Sequence, residues 1–300
     1  MNHQEGRVTT MLKVSRHEAI ENRAQFTTDS RGITRNNLLM SHLNLLSVEL
    51  LDHGYFVGNL QWNQYGVHSP FARIYYMVAD RGWLDTDQGR IDLIPGTMYL
   101  IPPRTRVNLR TDGRIEKFYF HVTCRYGDMD ILDNINRCFT LPLRPDLLHP
   151  LLAAYSGGRL PDLLAIKGLV YQTLASFFRD CLPDISDRLA LANEYKLVYA
   201  YIEQNLSARL SSRQLCQVLD LPYESFRRKF RRDNGITLHQ FIADRLIQRA
   251  SLGLLLTKDT VQQIASRLGF ADEFYFSRFF KQKMEYSPRE YRRINAVLRY

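Results

Sequence analysis

The sequence predicts an α+β chain of two domains, a strand-rich N-terminal part and an all-α C-terminal part. Three observations predict it. Short β-branched and aromatic runs between turn formers fill about 43–124, and helical spacing takes over from about 161. A pattern in the last third of the chain then occurs twice. The 300 residues leave room for roughly two domains. Hydrophobic residues at 45%, with 12% aromatics, exclude wholesale disorder.

Residues 1–36 read as a polar arm, with Thr27, Thr28, Asp29, Ser30, Arg31 and Gly32 as a turn-rich or unstructured stretch. The run from Phe71 to Val78 is β-branched and aromatic and ends at Asp80, Arg81 and Gly82. Ile91–Leu93 and Thr97–Ile101 flank a Pro95–Gly96 turn, and Pro102–Pro103 stops the second run. Phe118, Phe120 and Val122 alternate with Lys117, Tyr119 and His121. Short strands with turns between them predict a small β-sandwich or barrel. Trp62, Trp83, Tyr75 and Tyr119 there suit a core better than ligand stacking, given the area aromatics bury.

Apolar side chains from Leu163 through Ile166, Val170, Leu174 and Phe178 then recur at three- and four-residue steps. Pro183–Asp187 reads as a linker, and helix resumes near Asn193. The domains expected are 1–160 with the N-terminal arm, a helical segment and linker at 161–192, and 193–300.

The repeat pairs Leu215–Cys216 with Ile264–Ala265, and Phe226–Arg231 with Phe276–Lys281. The first offset is 49 residues and the second 50, so one extra residue falls between two helices, where a turn absorbs it. A short helix, a tight turn and a basic helix, twice in one chain, predict two helix-turn-helix units. Charge agrees. Of the +9 formal net charge, residues 193–300 carry 19 Lys+Arg against 11 Asp+Glu, as expected of a part that meets a polyanion.

At about 100° per residue, Phe226 and Phe230 share an inward face. Glu224, Arg228 and Arg231 then project outward, with Arg227 on the flank. In the second copy Phe276 and Phe280 point in; Phe274, Arg278 and Lys281 point out, with Ser277 on the flank. An arginine at such a position can hold guanine O6 and N7 together, Glu224 can accept from cytosine N4, and Phe274 can contact a thymine methyl. One basic helix alone is often just a solvated face; the repetition and the charge segregation favour DNA. Arg292, Arg293 and Arg299 suit solvated charge or phosphate contact better than base reading. Leu238, Phe241, Ile242, Leu246 and Ile247 should face inward on a helix over about 237–256. Gly269 fits a left-handed turn and Ser287–Pro288 a helix start.

Other chemistries find little support. No apolar run approaches the roughly 20 residues that span a bilayer, and the charged N-terminus lacks a signal peptide's apolar region. Cys124, Cys138, Cys181 and Cys216 match no zinc spacing and read as reduced thiols of a cytoplasmic protein. No Gly-x-Ser-x-Gly, P-loop or Cys-His pairing is present.

Residues 193–300 resemble the DNA-binding domain of AraC/XylS-family transcription regulators. The match rests on Ile264–Ala265, Leu268–Gly269–Phe270, Asp272, Tyr275–Phe276–Ser277–Arg278, Phe280–Lys281, Ser287–Pro288 and Tyr291–Arg292. The resemblance implies seven helices, recognition helices near 223–232 and 273–283, and base readers at Glu224, Arg227, Arg228, Glu273, Phe274, Ser277 and Arg278. Three positions depart from the family pattern. Pro222 replaces the usual capping Ser, Thr237–Leu238 replaces the first Ser-Pro, and Glu285 replaces a Gly, so its turn is expected to be built another way.

Gln88–Arg90, Ile94–Gly96 and Leu100–Pro103 resemble the family's cupin-like effector domain. The resemblance implies a cupin-like β-barrel with a small-molecule pocket, a sugar or derivative by family habit, and dimerisation through helices within 161–180. Arg73, Tyr75, Trp83, Tyr119 and His121 are the candidates for contacting that effector. Expected partners are double-stranded DNA, the effector, RNA polymerase and a second copy of the chain, with no cofactor and no membrane. Activation is the expected sign of regulation. The rival readings are a metal-dependent cupin enzyme, for which His53, His68 and His121 stand too isolated, and a structural or RNA-binding protein.

Overall fold

The structure is a computed structural model that describes residues 26–28, 34–36 and 43–295. The rest of the expected polar arm, and Arg299, lie outside the described residues. Strand β1 (Phe26–Thr28) pairs antiparallel with β2 (Thr34–Asn36), so Thr27 and Thr28 belong to a strand rather than a turn. Ladder hydrogen bonds outweigh their turn-like neighbours.

From Val48 onward the described residues form one compact unit containing a strand-rich and a helical region. The strands are β3 (Leu46–Gly58), β4 (Gln64–His68), β5 (Ala72–Asp80), β6 (Gly82–Thr86), β7 (Gly89–Leu93), β8 (Thr97–Ile101), β9 (Arg106–Arg110), β10 (Ile115–Tyr126), β11 (Met129–Asp130) and β12 (Phe139–Pro142). One sheet runs β11-β10-β5-β8-β12, with β3 also pairing β10; the other runs β4-β9-β6-β7. Tyr75, Met77, Tyr99 and Ile101 of the first sheet share a core with Val67, Leu84, Leu93, Val107 and Leu109 of the second. The β5–β10 register sets Tyr75 opposite Tyr119 and Arg73 opposite His121, while Tyr76, Phe118 and Phe120 turn to the other face.

That other face is covered by helices. Helix α1 (Pro145–Gly157) packs on α2 (Leu160–Asp180), and Tyr76 Oη meets Thr173 Oγ1 of α2 at 2.7 Å. The apolar stripe of α2 is divided. Ile166, Val170, Leu174 and Phe177 are buried, whereas Leu160, Leu163 and Leu164 stand 69, 51 and 61% exposed. Helix α3 (Ser186–Glu194) begins inside the stretch expected to be linker.

Seven helices follow among the described residues: α4 (Lys196–Gln204), α5 (Ser212–Val218), α6 (Tyr223–Asn234), α7 (Leu238–Leu256), α8 (Val261–Arg267), α9 (Glu273–Met284) and α10 (Pro288–Asn295). Their shared core holds Phe226, Phe230, Leu246, Phe276, Phe280 and Tyr291, and Phe71 from before β5 inserts into it. The two regions also meet through polar groups. Tyr291 Oη donates to His68 O at 2.5 Å, and His68 N donates to Asn295 Oδ1 at 2.7 Å.

Candidate nucleic-acid interface

Each basic helix is set by a tight turn, and the two turns differ by one residue. Leu219–Pro222 separates α5 from α6; Leu268–Asp272 separates α8 from α9. Asp220 and Gly269 take matching left-handed places at φ 51° and 75°. Leu221 N then bonds Cys216 O at 2.8 Å and Phe270 N bonds Ala265 O at 3.0 Å. Ala271 is thus the residue that makes the helix offset 50 rather than 49. It brings Asp272 to the N-cap of α9, where Oδ1 accepts from Tyr275 N at 2.7 Å. Pro222 holds the same place before α6 without a side-chain cap.

The scaffold helices start differently. Ser211 with Gln214, Thr237 with Gln240, Thr260 with Gln263 and Ser287 with Glu290 exchange side-chain and backbone bonds at the starts of α5, α7, α8 and α10. Thr237 was expected to cap α7; the Ser/Thr-x-x-Gln spacing at Ser211 and Thr260 was a readable signal that sequence reasoning passed over.

The outward faces separate free charge from bound charge. Glu224 and Arg227 are exposed and pair with each other at 3.2 Å. Arg228 and Arg231 are exposed on α6, and Arg278 and Lys281 on α9, with no ion pair recorded for any of them among the described residues. Phe274 is 79% exposed, and Ser277 is half-buried beside it. Glu273 lies 3.6 Å from Arg289 of α10.

Lys229, by contrast, is spent within the protein. Its Nζ donates to Asp233 at 2.8 Å, to Tyr195 Oη at 3.2 Å and to Glu194. Asp233 foremost, then Glu194 and Tyr195, raise the Lys229 pKa, and Lys229 lowers that of Asp233. Arg292 departs from its expected role as solvated charge. Its guanidinium donates to Leu254 O at 2.7 Å and to Asp259 O at 2.6 Å, tying off the end of α7.

The effector candidates do not form one cluster. Arg73 is buried, donates to Ser69 Oγ and reaches His121 Nε2 at 3.1 Å. That bond makes Nε2 the acceptor and leaves the proton on Nδ1, 3.6 Å from Asp52. Burial and the Arg73 charge push the His121 pKa down to about 3. Tyr119 sits 5.1 Å from the His121 ring, and Tyr75 lies opposite Tyr119. Lys117 caps the Tyr75 ring at 3.3 Å and Trp62 at 4.2 Å; burial holds its pKa well below the usual lysine value. Trp83 is elsewhere, on β6, under the Arg90 guanidinium. Nothing in the sequence pattern marked Lys117. Among the described residues no His, Cys, Asp and Glu group gathers where a metal ion could be held, and no helix is long and apolar enough to cross a membrane.

Comparison with known proteins bears on the same region. Residues 215–294 match the family profile described as a helix-turn-helix domain. LumQ of Photobacterium leiognathi, by name a probable transcriptional regulator, is 22% identical over 224 residues, 75% of this chain and 90% of LumQ. The transposon Tn10 TetD protein of Escherichia coli is 31% identical over 110 residues, 37% of this chain and 80% of TetD. The crystal structure of ToxT from Vibrio cholerae O395 aligns over 85% of this chain and 100% of its own at 13% identity, with a TM-score of 0.49. The doubled turn geometry, the profile match and the TetD likeness lead to one conclusion: the chain belongs to the AraC/XylS family of DNA-binding transcription regulators.

Proposed function

We propose that this protein is a cytoplasmic transcription activator that reads DNA through α6 and α9 and responds to a small molecule held in its strand-rich region. The observation that carries the DNA reading is the state of the outward charges. Arg228, Arg231, Arg278 and Lys281 project from the two basic helices without ion pairs among the described residues, while Lys229 of α6 is neutralised. The proposed base readers are Glu224, Arg227, Arg228, Glu273, Phe274, Ser277 and Arg278, with Arg231 and Lys281 on the backbone. The recognition helices would enter successive major grooves about 34 Å apart.

The proposed division of labour follows the boundaries 1–160, 161–192 and 193–300. A cupin-like first part senses the effector, a sugar or derivative by family resemblance, near Arg73, Tyr75, Tyr119 and His121, with Trp83 further along the fold. The exposed Leu160, Leu163 and Leu164 of α2 support pairing of two copies. RNA polymerase is the partner that activation requires.

Selection of bound genomic fragments by the full chain tests the reading, repeated with Arg228→Ala and Arg278→Ala. Each substitution is expected to cost about 1–3 kcal/mol and to relax preference at particular bases. Uniform weakening over all sequences would reduce both arginines to phosphate contacts.

A further inference from the structure

A cavity of about 380 Å³ opens between the β11 segment, α3 and the first helix-turn-helix unit, and the function proposed above makes no use of it. Its volume lies at the lower end of ligand pockets. Seven charged side chains line it, and five are already neutralised. Arg104 pairs with Asp133, and Arg245 with Glu203; Asp233 is held by Lys229 and Asp244 by Lys283. Asp130 and Arg188 remain.

Asp130 is 1% exposed; its Oδ1 accepts from Leu132 N at 3.0 Å, and its Oδ2 has no hydrogen-bond partner among the described residues. Arg188 Nη1 donates to Ile131 O at 3.2 Å, the carbonyl of the residue that follows Asp130 in the chain, and both side chains line the cavity. No carboxylate pairs with Arg188 among the described residues. A buried acid and a base that share a cavity without bonding each other are both costly, unless a third body satisfies them. The rest of the lining sets apolar Met129, Leu191, Ile236 and Phe241 beside the uncharged polar groups of Asn134, Tyr199, Asn234 and Gln248.

We propose that this cavity binds a free amino acid with an apolar side chain, its ammonium on Asp130 and its carboxylate on Arg188. The ammonium gives the unpartnered Asp130 oxygen a donor, the carboxylate gives Arg188 a counter-charge, and the side chain lies against Leu191, Ile236 and Phe241. It would touch the β11 segment and the α6–α7 turn together, so occupancy favours one placement of the first basic helix over others. Only that consequence rests on the DNA-binding function; the binding itself does not.

Calorimetric titration of the full chain with the coded amino acids, led by L-leucine, tests the site. The controls are 3-methylbutylamine, which lacks the carboxylate, and 4-methylpentanoate, which lacks the ammonium. Leucine is expected to bind roughly tenfold or more tighter than either. Asp130→Asn should weaken leucine and the amine but not the acid, and Arg188→Met should weaken leucine and the acid but not the amine. Thermal unfolding checks that both variants fold. Absence of saturable binding by every amino acid, or leucine affinity unchanged in both folded variants, overturns the proposal. DNA selection by the same protein is unaffected by either failure, so the two readings are judged separately.

Discussion

Glu285 closes α9 in the left-handed region at φ 67°, and its carboxylate meets Arg106 of β9 at 2.9 Å. The equivalent residue of the first unit is Gly235 at φ 73°. The turn expected to need another construction is therefore built in the same way. A glutamate bears the strain, and its side chain reaches the strand-rich region. Left-handed backbone costs a non-glycine residue about 1 kcal/mol, and an exposed ion pair returns about as much or less. Glu285→Gly should therefore match or slightly exceed the wild type in stability, while Glu285→Ala, which keeps the strain and loses the pair, falls about 1 kcal/mol below Glu285→Gly. Urea unfolding of the three proteins measures this; coincident curves for the Gly and Ala variants would remove the strain argument.

Gly269 and Gly235 share a left-handed φ but not their surroundings. A Cβ on Gly269 would lie 2.2 Å from Ser207 Oγ, whereas one on Gly235 meets nothing within 4 Å. Gly235→Ala is expected to cost about 1 kcal/mol from backbone strain alone. Gly269→Ala should cost about 1–3 kcal/mol more, because the side chain must also displace Ser207. Equal losses in thermal unfolding would show that Ser207 gives way freely.

Lys229 lies in the basic run but is held by Asp233, Tyr195 and Glu194. Lys229→Met should lower the unfolding temperature while changing DNA affinity about threefold or less. Arg228→Ala, at the neighbouring position, should cost about 1–3 kcal/mol of DNA affinity and leave folding intact. Fluorescence anisotropy on one operator fragment compares them. Equal loss of binding in both variants would contradict the assignment of Lys229 to the scaffold.

Asp130 gives a pH signature. Burial, with Asp133 nearby, pushes its pKa up to about 7, against the opposing pull of Leu132 N–H, Arg245 and Arg125. The folded state therefore holds a proton that the unfolded chain releases near pH 4. This group's contribution is fully present below about pH 4 and is lost as pH rises through about 7. Asp130→Asn removes the dependence, so the variant should gain on the wild type between about pH 4 and 8. Denaturant midpoints at several pH values follow the difference; a constant gap would mean that Asp130 titrates normally.

Much of the helical region was legible because its signals are local. The alternation of buried Phe226 and Phe230 with outward Arg228 and Arg231, and of Phe276 and Phe280 with Arg278 and Lys281, follows from helical spacing alone. Helix α1 was not anticipated; it carries Pro150 in its interior, where proline removes a backbone donor and usually ends or kinks a helix. Helix α3 was hidden by the turn-forming residues at its start. Arg292 and Lys229 looked like surface charge because a basic residue carries no sign of which carbonyl or carboxylate folding will bring to it.

The sequence by itself determined the two helix-turn-helix units, their one-residue difference and the concentration of positive charge in the helical region. Periodicity, turn chemistry and composition act between near neighbours. Tertiary structure alone decided which of those charges stay free, that Glu285 reaches Arg106, and that Asp130 and Arg188 share a cavity without bonding each other. Those outcomes depend on segments about 60 to 180 residues apart meeting in space, where burial and partner geometry, not residue type, set what a charge can do.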